Sequence, residues 1–175
     1  MQNLLPSELV ELATRVIETN RRAGRRIAVA ESCTGGLVAA ALTEVAGSSD
    51  VFECGFNTYS NDAKRKMLDV SEDLLETFGA VSIAVAWGMA QGALEKSDCD
   101  VAVAITGVAG PGGGTEKKPV GTVVFAKAER GRDPEDVVAD RKNFGDDLSR
   151  ADIRLQAALV ALELLLSDDA ELPNP

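Results

Sequence analysis

Histidine is absent from the whole 175-residue sequence. That removes Ser-His-Asp and Cys-His catalysis, histidine metal sites and the imidazole pH switch, so proton transfer falls to lysine, tyrosine, a carboxylate or water. Cysteine is scarce. Cys33, Cys54 and Cys99 are odd in number and show no C-x-x-C spacing, which suggests neither a disulfide framework nor a zinc site and suits a reducing, cytoplasmic setting. No stretch approaches the ~20 apolar residues of a membrane span. The N-terminal Met1-Gln2-Asn3-Leu4-Leu5-Pro6 has no basic segment leading into an apolar one, so a soluble, unexported protein with no membrane partner is expected. Positive charge is also short: 18 basic against 28 acidic residues give a formal net charge of -10. A phosphate backbone is repelled by such a surface, and the densest basic cluster, Lys64-Arg65-Lys66, is short, so no nucleic-acid partner is expected.

What is present suits one α/β domain. The length allows one ordinary core, taken here as residues 1–166, with 167–175 as an acidic, proline-bearing tail that frays. Apolar residues at Leu9, Leu12, Ala13, Val16 and Ile17 predict a helix over Ser7 to Ala23, closed by Gly24. The unbroken runs Ile27 to Ala30 and Asp100 to Thr106 predict central strands, buried on both faces. Further helices are predicted over Leu37 to Ala46, Asp62 to Met67, Asp73 to Phe78, Ala84 to Glu95 and Asp147 to Leu166. Further strands are predicted over Val51 to Tyr59, Val120 to Ala128 and Val137 to Phe144. Gly88, Ala90 and Gly92 imply that another backbone comes close to their helix. Together these elements read as a mixed central sheet covered by helices on both faces, with ligands gathering where strand C-termini meet helix N-termini.

The stretch Ile27 to Leu37 runs from a strand through Glu31-Ser32-Cys33-Thr34-Gly35-Gly36 into a helix. Its N–H groups favour negative charge, so Ser32 is a nucleophile beside an oxyanion site, or the turn is a plain phosphate cradle, or Ser32 or Thr34 is simply the helix N-cap. Cys33 is a rival nucleophile; consecutive side chains rarely reach one point, so one of the pair should face the ligand and the other the packing. Lys64 is the obvious base. Ser60 or Asn61 can cap its helix; if Asn61 does, Lys64 takes the third helical position, where the dipole, Arg65, Lys66 and any burial all lower its pKa. Tyr59, the only tyrosine, either relays a proton, orients a ligand or packs as a strand residue. The loop Gly107-Val108-Ala109-Gly110-Pro111-Gly112-Gly113-Gly114 either wraps an anion or forms a surface turn, and Thr106 touches a ligand or caps that turn. Arg150 and Arg154, one helical turn apart, either clamp a phosphate or carboxylate or pair at the surface with Asp146 or Asp147.

Several ordered motifs closely resemble the CinA C-terminal domain family, named for competence and damage induction. They are Ala30-Glu31-Ser32-Cys33-Thr34-Gly35-Gly36, Ala46-Gly47-Ser48-Ser49, Tyr59-Ser60-Asn61, Ala63-Lys64, Gly79-Ala80-Val81-Ser82, Gly107-Val108-Ala109-Gly110-Pro111 and Lys118-Pro119-Val120-Gly121-Thr122-Val123. The resemblance covers about Leu9 to Leu166 and implies a three-layer α/β/α sandwich, often oligomeric. It implies hydrolysis of nicotinamide mononucleotide to nicotinate mononucleotide and ammonia, without metal or cofactor. Ser32 would be the nucleophile, Lys64 the base, and Tyr59 and Thr106 site residues. The Cys33, Thr34, Gly35 and Gly36 turn, Gly107, Gly110 and Arg154 would hold the substrate. The chain departs from the family pattern at Phe144-Gly145-Asp146-Asp147-Leu148-Ser149-Arg150, where a shorter Gly-Asp-Arg approach is usual, so Arg150 competes with Arg154 for the arginine role. A non-catalytic module that cradles a phosphorylated ligand is the alternative.

Overall fold

The structure, a computed structural model, describes residues 3–136 and 138–167. In chain order the elements are α1 (Ser7–Arg22), β1 (Ile27–Glu31), α2 (Leu37–Thr43), β2 (Phe52–Asn57), α3 (Asn61–Leu68) and α4 (Glu72–Phe78). They continue with α5 (Ile83–Glu95), β3 (Val101–Gly107), β4 (Thr122–Glu129), β5 (Val138–Asn143) and α6 (Arg150–Leu165). The strands form one sheet in the order β2-β1-β3-β4-β5. β1 runs parallel to β2 and β3, and β4 runs antiparallel to β3 and β5. The expected mixed sheet inside an α/β/α sandwich is therefore what forms.

Alternation along the buried strands decides what each face packs against. Ile27 and Val29 of β1 and Val101, Val103 and Ile105 of β3 join the core beneath α1, α2 and α6. Ala28, Ala30, Ala102 and Ala104 point the other way, toward α3, α4 and α5. Branched side chains thus fill one face, and an alanine row on the other lets α5 come close through Ala86, Ala90 and Ala93. A Cβ added at Gly92 would sit 2.1 Å from the carbonyl oxygen of Leu68 at the end of α3, so the close backbone approach expected for this helix occurs within the chain.

Some boundaries differ from the sequence reading. Helix α2 ends at Thr43 because the chain turns at Gly47, whose φ is 75°, into a 3-10 turn at Ser48–Asp50. Helix α6 starts at Arg150 rather than Asp147, since Ser149 and Asp152 make a reciprocal capping box there. Ser167 is buried rather than frayed; Val137 and residues 168–175 lie outside the described residues. Among the described residues no helix is long and apolar enough to cross a membrane. Since β1, β2 and β3 are parallel, their C-terminal ends share one edge, which brings Ser32, Thr58 and Val108 to the same side of the molecule.

Candidate active site

Ser32 is the first residue beyond β1, and its N–H donates to the carbonyl of Ile105 at 2.9 Å, tying the turn to β3. Gly35 and Gly36 follow at φ 62° and 93°, a left-handed pair that only glycine takes without strain. The structure corrects the expected cap. Neither Ser32 nor Thr34 caps α2; its N-cap is Gly36, which has no side chain to offer. The carboxylate of Glu31 caps it instead, accepting N–H bonds from Gly36 (3.1 Å), Val38 (3.2 Å) and Ala39 (2.9 Å). The negative charge favoured at this helix end is therefore supplied by the chain itself. The N–H groups of Cys33 and Thr34, in contrast, have no acceptor among the described residues.

Lys64 heads the largest fully buried side chains, at 1% exposure. Its Nζ lies 3.0 Å from Ser32 Oγ, 2.8 Å from the Thr58 carbonyl oxygen and 3.3 Å from that of Tyr59. Burial lowers its pKa to about 8. The direction expected from sequence holds, and of the causes named there burial is the one that acts. Ser60, not Asn61, caps α3 through the Ala63 N–H, which moves Lys64 to the fourth helical position, and Arg65 and Lys66 turn outward to Glu72 and Asp62. Desolvation rather than the dipole or like charge carries the shift.

Cys33 belongs to the core under α1, α2 and α6, and burial pushes its thiol up to about 11, so it stays protonated at neutral pH. Of the two neighbours, Ser32 is the one paired with the lysine. Thr106 donates its hydroxyl to the Ala80 carbonyl at 2.9 Å and so pins the α4 to α5 connection to the end of β3. Gly107 is hemmed in: a Cβ there would lie 2.9 Å from the Thr122 oxygen and 3.1 Å from Cys33 Sγ. Tyr59 is 63% exposed rather than packed in the core, and its hydroxyl accepts from Arg150 at 3.2 Å. Arg150 also donates to the Gly110 carbonyl at 2.6 Å. Arg154 points elsewhere, donating to the Thr34 carbonyl at 2.8 Å.

These side chains surround an open cleft of about 270 Å³, at the small end of ligand pockets. Ser32, Cys33, Tyr59 and Lys64 line it, together with Thr106, Gly107, Gly110 and Arg150. A second hollow of about 520 Å³ adjoins it, shares Ala109 and Arg150, and carries the carboxylates of Glu116 and Asp146.

The family model for the CinA C-terminal domain matches residues 9–168. The chain belongs to that family. It is 46% identical over 160 residues, 91% of this chain and 94% of the relative, to a protein of Enterobacter agglomerans named nicotinamide-nucleotide amidohydrolase PncC. A competence-damage inducible protein of Symbiobacterium thermophilum is 60% identical over 62% of this chain, which spans only 26% of that relative's length. Among solved structures, the competence/damage inducible protein CihA of Agrobacterium tumefaciens superposes with a TM-score of 0.89 at 49% identity, covering 94% of this chain and 97% of that one.

Of the residues that the CinA resemblance singles out, Thr34, Gly35, Gly36 and Arg154 do not line the cleft; they form, or bind, the turn behind Ser32. Sequence reasoning gave Glu31 no role, although a single acidic residue closing the apolar run Ile27 to Ala30 was a visible signal. It also passed over the Thr58 carbonyl, which no side-chain motif announces.

Proposed function

We propose that this chain hydrolyses the carboxamide of nicotinamide mononucleotide to nicotinate mononucleotide and ammonia, with Ser32 as nucleophile and Lys64 as general base. The observation that carries this reading is the buried Lys64 Nζ at 3.0 Å from Ser32 Oγ. The amidohydrolase name of the Enterobacter agglomerans relative supports the substrate.

A neutral lysine amine has two N–H donors and one lone pair. The Thr58 and Tyr59 carbonyls take the two donors, which leaves the lone pair for the Ser32 hydroxyl proton. Ser32 Oγ attacks the carboxamide carbon as its proton passes to Lys64, and the tetrahedral oxyanion accepts from the free N–H of Cys33, the residue after the nucleophile and part of the cleft lining. The Lys64 ammonium then protonates the departing nitrogen, the C–N bond breaks, and ammonia leaves an ester on Ser32. Water enters, gives a proton to Lys64 and attacks that ester; Ser32 recovers its proton when the acid departs. Apart from Lys64, Arg150 is the one cationic side chain lining the cleft among the described residues, so it receives the substrate phosphate, with Tyr59 orienting it. Arg154 is left to hold the turn.

Ammonia release from nicotinamide mononucleotide tests the reading. Wild-type protein should turn it over and Ser32→Ala should lose about 10⁴-fold or more. Binding of the nucleotide with no ammonia released, or full turnover by Ser32→Ala, would overturn it.

A further inference from the structure

We infer that Glu31 and Arg154 are positioning residues, which hold the peptide after Ser32 so that the free N–H of Cys33 meets the oxyanion. This rests on the amidase reading above. A seven-residue helix such as α2 needs no buried charge to start it, since Ser, Thr or Asp at its N-cap would satisfy its first N–H groups from the surface. Here the cap position is glycine, and the task passes to a carboxylate five residues earlier with 1% exposure. That carboxylate belongs to the residue immediately before the nucleophile. The backbone oxygen of the same Glu31 accepts the Thr58 N–H at 2.8 Å, and the Thr58 carbonyl holds Lys64 Nζ. One residue therefore joins α2, the Ser32 turn and the lysine platform.

Arg154 acts on the same turn from α6. Its guanidinium binds the Thr34 carbonyl, which also accepts the Leu37 N–H, while its Nε is buried without a partner among the described residues. Leaving a buried donor unpaired costs stability, so a merely structural arginine is poorly suited to the place. With the Thr34 carbonyl fixed at one side and the Gly36, Val38 and Ala39 N–H groups fixed at the other, the N–H of the cleft-lining Cys33 remains free in a peptide held from both ends. Donors held in place before the reaction are what oxyanion stabilisation requires.

The test separates this role from simple support of the fold. Glutamine at position 31 keeps the volume but sets an NH2 group against N–H donors. In folded Glu31→Gln and Arg154→Met proteins, kcat should fall about 10–100-fold with KM for nicotinamide mononucleotide within about threefold. Pyridine-3-boronic acid supplies the second readout. Its boron bonds to Ser32 Oγ as the hydroxyl proton passes to Lys64, and a boron oxygen takes the oxyanion position. Its inhibition constant should rise by the same factor as kcat falls. Unchanged kcat and boronate affinity in either folded variant, or a loss confined to KM, would overturn the inference. If Glu31→Gln does not fold, Arg154→Met decides alone, and Arg154→Lys should recover part of the loss. A wild-type protein that neither releases ammonia nor binds the boronate fails the amidase reading instead.

Discussion

Lys64 is a charge buried among neutral oxygens: the hydroxyl of Ser32 and the carbonyls of Thr58 and Tyr59. Such a site holds an amine more readily than an ammonium, and the cost appears as a pKa of about 8 in the folded chain against ~10.4 when unfolded. Between these values the unfolded chain binds the extra proton, so stability rises with pH across that window, by roughly 3 kcal/mol in all. Below pH 8 both states are protonated and the penalty is complete. Lys64→Met removes this titration. Urea unfolding at several pH values should show the variant's stability relative to wild type greatest at or below pH 8 and falling steadily toward pH 10; parallel pH dependences would show that the lysine is not desolvated. Cys33 is shifted the other way, and a thiol held at about 11 makes a poor nucleophile at neutral pH.

Among the elements, α3 carries Lys64, and α5 holds α3 in place at Gly92. Alanine at 92 would drive a methyl group into the Leu68 carbonyl, so Gly92→Ala should cost at least about 1–3 kcal/mol, or several degrees of Tm at ~2–4 °C per kcal/mol. Gly88, one turn earlier, has nothing nearer than 3.6 Å to such a methyl, and Gly88→Ala should be neutral or slightly stabilising through helix propensity. Equal losses at both positions in thermal unfolding would contradict this packing account. The elements whose signals are local were legible in the sequence. Strands β1 and β3 announced themselves as apolar runs, and Ser60 and Ser82, hydroxyl residues just before their helices, cap α3 and α5. Apolar spacing alone places the start of α6 too early, because it runs on past the Ser149 to Asp152 box, itself a readable signal. The cap of α2 was not legible: it depends on Gly35 and Gly36 turning left-handed, which brings a carboxylate from before the turn back onto the helix.

Across the whole molecule, a formal charge of -10 opposes the approach of any phosphate, so cationic help at the cleft has to be local, as Arg150 is. The sheet supplies the rest by ending three parallel strands at one edge, where Ser32 from the first meets Lys64 from beyond the second and the glycine loop from beyond the third. The meeting of Ser32 and Lys64 could be anticipated only as a pairing of residue types. Their 3.0 Å separation and the burial that tunes the amine belong to the assembled fold, since no local pattern encodes the desolvation of one side chain by two layers. The most direct measurement is the pH dependence of kcat/KM for nicotinamide mononucleotide hydrolysis between pH 7 and 10. With Lys64 as the base it should climb toward a plateau, bending near pH 8; a profile flat through pH 8, or one that falls as the lysine loses its proton, would contradict the account.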